Sequence, residues 1–308
     1  MAGHSHSHSH HHHGHQTAHA HPETVSRAGG ALRAAAAITL LFALVEGVGG
    51  WWTGSLALLS DAGHMLTDAA ALGFGAVAAW MARRPPSGRH SYGLGRAEIL
   101  AAFANSGVML VIVGALAYES LIRLRVPAEV NGEVASLIAL GGLGINAVVL
   151  RRLSPHRHDL NTRAARLHVL GDLLGSGAAL ASSLVIWLTG WTRVDPIASL
   201  AICLLIAASS VRLLRESLHA LMEGVPQGMS VEAIGGAMAA VEGVLSVHDL
   251  HVWLLSGSRA ALSAHIVVGS LAHWDHTLAR LQARLHEDFG IDHVTLQPET
   301  RTRPLVRR

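Results

Sequence analysis

The sequence predicts an all-α membrane domain of six helices followed by a small α+β domain, and three observations lead to this fold class. Half of the 308 residues are hydrophobic and only 14% are charged, whereas soluble domains carry about 25% charged residues. Six apolar stretches alternate with short polar breaks, at residues 31–52, 55–82, 97–122, 133–150, 164–191 and 195–218. Beyond residue 224 the composition changes to that of a soluble domain.

Two of the apolar stretches are long enough to span a bilayer without any charged residue. Ile99–Tyr118 and Leu173–Thr192 are each uncharged for 20 residues, which is about the length that crosses the hydrocarbon core. The first stretch is interrupted by Glu46, and the second by Asp61, His64 and Asp68. Ionisable groups inside a membrane helix are costly, so we expect them to face the protein interior or a water-filled path.

The distribution of arginine predicts the orientation. With the N-terminus in the cytoplasm, the segments that lie outside hold only Arg123, Arg125 and Arg193, and the other basic residues near the helices fall inside. Cytoplasmic loops of membrane proteins are enriched in basic residues. The pattern therefore predicts a multi-pass protein of the inner (plasma) membrane with both termini in the cytoplasm.

The expected domain organisation has four parts. Residues 1–26 form a disordered, His-rich cytoplasmic tail, since ten of the 23 histidines fall between His4 and His21 and such a composition cannot bury a core. This tail could bind metal, or it could come from an expression tag. Residues 27–223 form the membrane domain, 224–300 a cytoplasmic domain, and 301–308 a short tail. The single Cys203 excludes a disulfide framework and a cysteine-rich metal site.

The C-terminal domain shows the periodicity of two helices and three strands. One helix has an apolar face at Val231, Ile234, Met238 and Val241, and a second has one at Trp274, Leu278, Leu281, Leu285 and Phe289. Residues 248–255 and 260–268 show the alternation of side chains expected of strands, and residues 293–299 are predicted to form a last strand. The order α-β-β-α-β predicts helices packed on a three-stranded sheet.

Two histidine–aspartate pairs in the membrane helices could form a metal site. His64 and Asp68, and likewise His168 and Asp172, are four residues apart, which places each pair on one helical face. Two imidazoles and two carboxylates are a tetrahedral set suited to zinc. A single such pair could instead be a structural hydrogen bond. Asp61, on the same face as His64, could support the site or simply cap the end of its helix.

Four segments resemble the cation diffusion facilitator family of zinc transporters. They are residues 60–68 (S-D-A-G-H-M-L-T-D), 92–102 (Y-G-L-G-R-A-E-I-L-A-A), 168–172 (H-V-L-G-D) and 248–253 (H-D-L-H-V-W). The resemblance implies a ferredoxin-like cytoplasmic domain, a homodimer, and export of zinc or another divalent cation in exchange for protons. It implies transport-site ligands at His64, Asp68, His168 and Asp172. The histidine at the first position is similar to the zinc-preferring branch.

The same resemblance implies two further metal sites. The loop after the second helix offers His90, which could equally be a solvated loop histidine. The cytoplasmic domain offers His248, His265 and Glu299, with Asp292 at the family position of a fourth ligand and His293 as the alternative. Adjacent strand residues face opposite sides, so only one of these two can enter the site. We expect His251 and His273 to be surface or packing residues. Asn105 resembles a family position, and a hydrogen bond to a neighbouring helix is the commoner role of such a residue.

The expected function is therefore a secondary transporter and not an enzyme. Zinc would be its substrate and also a bound structural or regulatory ion, without an organic cofactor or a nucleic-acid partner. An intramembrane metalloenzyme is a competing interpretation, but the sequence contains no H-E-x-x-H motif. A membrane-anchored metal sensor or storage protein is another, and the His-rich tail is its main support.

Overall fold

The structure is a computed structural model that describes residues 22–153, 160–256 and 259–300, with side chains described from residue 37 except at 72 and 152–169. The His-rich residues 1–21, the end of the chain at 301–308 and the centre of the predicted turn at 257–258 lie outside the described residues. The six long helices are α1 (Pro22–Thr53), α2 (Leu56–Ala82), α3 (Ala97–Arg125), α4 (Gly132–Leu153), α5 (Leu160–Thr189) and α6 (Val194–Leu221).

The six predicted apolar stretches coincide with these six helices, which confirms the first half of the fold class. Helices α2 to α6 each contain a segment that is long and apolar enough to cross a membrane, and the apolar part of α1, Ala37–Thr53, is shorter. Helix α1 begins at Pro22, inside the stretch 1–26 that was predicted to be a disordered tail. Proline is favoured in the first turn of a helix, because its missing N–H would have no partner there.

Hydroxyl groups join α2 to its neighbours α3 and α6. The Ser60 Oγ lies 2.7 Å from the Ser199 Oγ, and Ser120 donates a 2.9 Å hydrogen bond to Ser199. All three serines are buried. The apolar core of the bundle consists mostly of small or branched side chains, namely Ala57, Leu58, Met109, Val113, Ala135, Ala139, Ala179, Ile202, Cys203 and Ile206. Small residues allow helices to approach closely in a membrane, so α2 is held firmly in the bundle.

The C-terminal domain has the predicted order α-β-β-α-β, which confirms the second half of the fold class. Its elements are α7 (Val231–Ala239), β1 (Val244–Leu254), β2 (Ala260–Val268), α8 (Trp274–Phe289) and β3 (His293–Thr300). Strand β2 is central, antiparallel to β1 and parallel to β3. Ile234 and Met238 of α7 and Leu281 and Leu285 of α8 are fully buried, as their helical spacing predicts.

Two contacts join the ends of the long helices to each other and to the C-terminal domain. Arg96, just before α3, donates a 2.9 Å hydrogen bond to Glu223, just after α6. The Tyr92 ring meets the His293 ring edge to face at 5.7 Å. The loop before α3 therefore lies against both the end of α6 and the start of β3.

Candidate metal centres

The proposed ligands of α2 lie together at the middle of the helix. His64 Nδ1 is 3.3 Å from Asp68 Oδ2, because residues four apart in a helix are neighbours on its surface. Both side chains are only partly exposed. This half of the site therefore follows directly from the sequence spacing.

Helix α5 brings a third proposed ligand to the same place. Asp172 is buried, and its Oδ1 lies 3.6 Å from His64 Nε2. One nitrogen and two carboxylate oxygens, from His64, Asp68 and Asp172, all lie within 4.8 Å of one another. Zinc–ligand bonds of about 2.0–2.2 Å require ligand atoms to converge in this way, so this is a candidate metal centre.

His168 is the fourth proposed ligand, and its side chain lies outside the described part of the structure. Its backbone belongs to α5, one helical turn before Asp172. The spacing of four residues puts both positions on the same face of the helix. A contribution from His168 therefore stays a prediction.

A small cavity opens onto the candidate centre from the side of α3 and α6. It has a volume of about 100 Å³ and reaches His64 and Asp68. Its other lining residues are Asn105, Ser106, Met109, Ile206, Ser209, Ser210 and Leu213. Asn105, which resembles a family position and for which a hydrogen bond to a neighbouring helix was the commoner expectation, lines this cavity. The cavity's polar groups could replace part of the water shell of an approaching cation.

Asp61 lies fully buried, one turn before His64 on α2. Its Oδ2 accepts a 2.7 Å hydrogen bond from Ser176 of α5, and Ser176 in turn accepts a 3.2 Å bond from Asn146 of α4. The N-cap of α2 is Ser55, and Asp61 lies in the second turn of the helix with its carboxyl group bonded to α5, so the capping interpretation of Asp61 is wrong. The sequence showed Asp61 as a charge in an apolar stretch, but it could not reveal the partners on α4 and α5.

A second cluster forms on the sheet of the C-terminal domain. His248 of β1 is directly opposite His265 of β2, and the two rings are 5.2 Å apart. Glu299 of β3 accepts hydrogen bonds from both rings, at 3.0 Å from His248 Nε2 and 2.9 Å from His265 Nδ1. These three residues also offer ligand atoms within 4.8 Å of one another, so they form a second candidate metal centre.

The pKa of Glu299 is below its ordinary value. Burial opposes ionisation of this carboxyl, but the hydrogen bonds from His248 and His265, together with the charges of those rings, outweigh the effect of burial. An ionised carboxylate is the form that binds a metal. Strand β1, which carries His248, is irregular just after that residue: Asp249 has a φ of 53° and the β1–β2 register shifts between His248 and His251. Such bulges re-aim side chains.

Asp292 and His293 do not join this cluster among the described residues. Asp292 is exposed and accepts a 2.6 Å hydrogen bond from His286 Nδ1, while His293 packs against Tyr92. In the single chain Asp292 thus lies apart from His248, His265 and Glu299, and its role as a ligand stays a prediction. The reason is its position in the link between α8 and β3, where it turns towards the end of α8.

His90 lies in an exposed turn and belongs to neither cluster found in the described residues. Its backbone pairs with Ser87 through two 3.0 Å hydrogen bonds. Its side chain lines a cavity of about 960 Å³ between this loop and β1, to which His251 also contributes. His251 and His273 are exposed, so of the surface and packing roles expected for them the surface role is observed.

Comparisons with known proteins cover nearly all of the described chain. Residues 32–222 match the family of cation efflux transmembrane domains, and residues 226–301 match the family of cation efflux protein cytoplasmic domains. The chain is 42% identical over 266 residues to the zinc transporter ZitB of Escherichia coli (strain K12). The aligned region covers 85% of this chain and 84% of ZitB.

Two further proteins are similar over most of their length. The metal cation efflux system protein CzcD of Cupriavidus metallidurans is 37% identical over 283 residues, covering 91% of this chain and 89% of CzcD. The cadmium, cobalt and zinc/H(+)-K(+) antiporter of Bacillus velezensis is 37% identical over 264 residues, covering 84% of both chains.

A solved structure of the metal-bound C-terminal domain of the CzcD transporter is 33% identical, with a TM-score of 0.22, and covers 23% of this chain and 99% of that domain.

Proposed function

The chain belongs to the cation efflux family of membrane transporters, also called cation diffusion facilitators, and we propose that it exports zinc from the cytoplasm in exchange for protons. It is a transporter for divalent cations and not an enzyme. Zinc as its substrate is supported by the name of the similar protein ZitB, and exchange for protons by the name of the B. velezensis antiporter.

The observation that carries this proposal is the convergence of His64, Asp68 and Asp172 within two apolar helices. Buried carboxylates without a counter-charge are costly in a membrane, and a divalent cation removes that cost by neutralising them. The imidazole nitrogen of His64 favours zinc over harder ions such as manganese. We assign the transport site to these residues together with His168.

Exchange follows from the acid–base chemistry of these ligands. Zinc binds the neutral imidazole and the ionised carboxylate, so binding releases protons and protonation releases the metal. The ordinary pKa of histidine, near 6.5, lies close to physiological pH, so moderate changes in proton concentration can drive the exchange. The site would load from the cytoplasm and unload on the other side of the membrane.

The C-terminal domain fits a role in dimerisation and metal sensing. Its match to the cytoplasmic domain of cation efflux proteins supports a homodimer, and His248, His265 and Glu299 would hold a zinc ion there. A fourth ligand could come from a second copy of the chain or from water, since Asp292 pairs with His286. We propose that both termini lie in the cytoplasm and that the protein resides in the inner membrane.

Zinc uptake into proteoliposomes with an imposed pH gradient tests this function. We expect zinc flux that depends on the gradient in the parent protein, and loss of that flux in Asp172→Asn. Glu133→Gln is the matched control, because Glu133 is an exposed carboxylate in the first turn of α4. Tight zinc binding without any flux would contradict transport, and flux that ignores the pH gradient would contradict exchange for protons.

A further inference from the structure

Asp61 is a buried acidic residue of α2 that the proposed transport site does not use as a ligand. It is fully buried, and it belongs to neither of the two groups of converging ligand atoms found in the described residues. Acidic side chains inside a membrane domain are costly and usually have a function. The presence of Asp61 in the bundle therefore needs an explanation of its own.

The carboxyl group of Asp61 meets α5 at two consecutive residues. Its Oδ2 accepts a 2.7 Å hydrogen bond from the Ser176 hydroxyl. Its Oδ1 lies against Gly175, where an added Cβ atom would overlap this oxygen. Position 175 must therefore be a glycine for the carboxyl group to fit. Helices α2 and α5 are in close contact here, and a hydrogen bond holds them together.

A third helix holds the donor of that hydrogen bond in place. Asn146 of α4 donates a 3.2 Å hydrogen bond to the Ser176 Oγ. Asp61, Ser176 and Asn146 are all buried. Hydrogen bonds in such a region are stronger than at a surface, because water does not compete for them. Asp61 is thus tied through Ser176 to both α5 and α4.

This contact lies one helical turn from the proposed transport site on both helices. Asp61 is three residues before His64 on α2, and Ser176 is four residues after Asp172 on α5. The order is reversed on the two helices, as antiparallel packing requires. The hydrogen bond from Ser176 to Asp61 is therefore next to the contact between His64 and Asp172. A shift of α2 against α5 at Asp61 would change the distance between those two ligands.

The separation of these ligands is critical for metal binding. Zinc–ligand bonds of about 2.0–2.1 Å at the tetrahedral angle place two ligand atoms about 3.3 Å apart. His64 Nε2 and Asp172 Oδ1 are 3.6 Å apart, so they are already close to this spacing. They belong to different helices, so helix packing sets their distance. Residues that orient metal ligands without touching the metal commonly change metal affinity about 10- to 100-fold when replaced.

We propose that Asp61 is a positioning residue of the transport site. Its hydrogen bond from Ser176 and its contact with Gly175 set the separation of His64 and Asp172. The inference rests on the proposed function, since it takes His64 and Asp172 as metal ligands. The role belongs to the shape and the accepting oxygen of the Asp61 side chain and not to its charge, so an amide at this position should preserve it.

The affinity of the transport site for zinc tests this inference. The zinc ion that the full-length parent binds in detergent and Asp68→Asn does not bind is the ion of the transport site, and competition with a chelator gives its dissociation constant. Asp61→Ala and Ser176→Ala should each raise this constant about tenfold or more. Asp61→Asn should match the parent. The double alanine variant should be no weaker than either single one, because effects within one hydrogen-bond network do not add.

Matched controls separate positioning from a general loss of stability. Ser60→Ala removes a buried hydroxyl of α2 that contacts Ser199 of α6 and not α5, so it should keep the zinc affinity of the parent. Gly175→Ala should weaken zinc binding, because the added methyl group would overlap the Asp61 Oδ1. Gly171→Ala, one turn earlier on α5, meets nothing within 4 Å and should match the parent. The two glycine variants keep the test decisive if Asp61→Ala does not fold.

Cobalt(II) absorption reports the geometry of the site, which a merely structural role of Asp61 would leave unchanged. The visible spectrum of the cobalt-loaded protein is compared with that of the same protein carrying Asp68→Asn, and the difference belongs to the transport site. Ser176→Ala should alter the position and intensity of these bands, because the separation of the ligands changes. Asp61→Asn should reproduce the spectrum of the parent.

The possible results distinguish this inference from the proposed function. If Asp68→Asn binds as many zinc ions as the parent, the transport site is wrong and the role of Asp61 is overturned with it. If Asp68→Asn loses an ion but Asp61→Ala and Ser176→Ala bind zinc like the parent, only the role of Asp61 is overturned. Equal weakening by Asp61→Asn and Asp61→Ala would mean that Asp61 acts through its charge, which also contradicts the proposal. An unchanged cobalt spectrum in Ser176→Ala would contradict it as well.

Discussion

Ser55 donates a 2.6 Å hydrogen bond to Asp195, and this bond ties the start of α2 to the start of α6. The backbone N–H of Leu56 donates a second bond of 2.6 Å to the other oxygen of Asp195. The first N–H groups of a helix have no partner within the helix, so Asp195 caps α2 from a different helix. Because α2 carries His64 and Asp68, this cap also helps to fix the position of these two proposed ligands along the bundle.

Asp195→Ala should lower the thermal stability of the purified protein. The substitution leaves the Ser55 hydroxyl and the Leu56 N–H buried without their acceptor, and losing a charged hydrogen-bond partner costs about 1.5–3 kcal/mol. The midpoint of heat-induced aggregation in detergent, followed by size-exclusion chromatography, would measure this loss. Glu133→Gln should leave the midpoint unchanged. Equal midpoints for Asp195→Ala and the parent would show that the cap does not stabilise the fold.

His64→Asp should reduce the preference for zinc over manganese. The substitution replaces a nitrogen ligand by an anionic oxygen, and oxygen-rich sites suit harder ions better. The added charge should strengthen binding of any divalent ion, so the ratio of the two fluxes is informative and the affinity is not. Parallel flux measurements of both metals in proteoliposomes would give this ratio. A ratio equal to the parent's would mean that His64 does not bind the transported metal.

Replacing His248 and His265 together with alanine should remove one metal ion per chain. The two rings and Glu299 are the described ligand atoms that converge in the C-terminal domain. Equilibrium dialysis of the full-length protein with zinc would count the ions, and zinc flux should fall only partly because the transport site is intact. His273→Ala, at an exposed histidine, is the control. An unchanged ion count would exclude this cluster as a metal site.

Glu299→Gln should destabilise the metal-free C-terminal domain at neutral pH and have less effect in acid. The pKa of Glu299 is lowered in the folded protein, so its ionisation stabilises the fold above the ordinary carboxyl pKa of about 4.3, and this contribution disappears as the pH falls through the lowered value. Thermal unfolding of the parent and the variant in a chelator at several pH values would compare them. A difference that grows on acidification would have the wrong sign.

The local features of this protein could be predicted from its sequence. Apolar stretches of about 20 residues have few alternatives to membrane helices, so the six helices followed from composition. The alternation of residues in β1 and β2 and the spacing of Leu281 and Leu285 fixed the order of elements in the C-terminal domain. The pairing of His64 with Asp68 also followed, because helical geometry determines where residues four apart must lie.

Contacts between elements were decided only by the tertiary structure. The spacing of residues on α2 does not predict the distance from His64 to Asp172. It also does not predict that Ser176 donates a hydrogen bond to Asp61. The link that turns Asp292 towards His286, and the bulge at Asp249, likewise depend on how strands and helices pack.

The physical reason is that helical hydrogen bonding and side-chain periodicity depend on residues a few positions apart, so the local sequence determines them. The position of one helix against another depends on many small contacts across the whole bundle. The sequence therefore determined which residues could bind a metal or a proton. The packing of α2 against α5 decided that Asp172 lies beside His64 and that Asp61 accepts a hydrogen bond from Ser176.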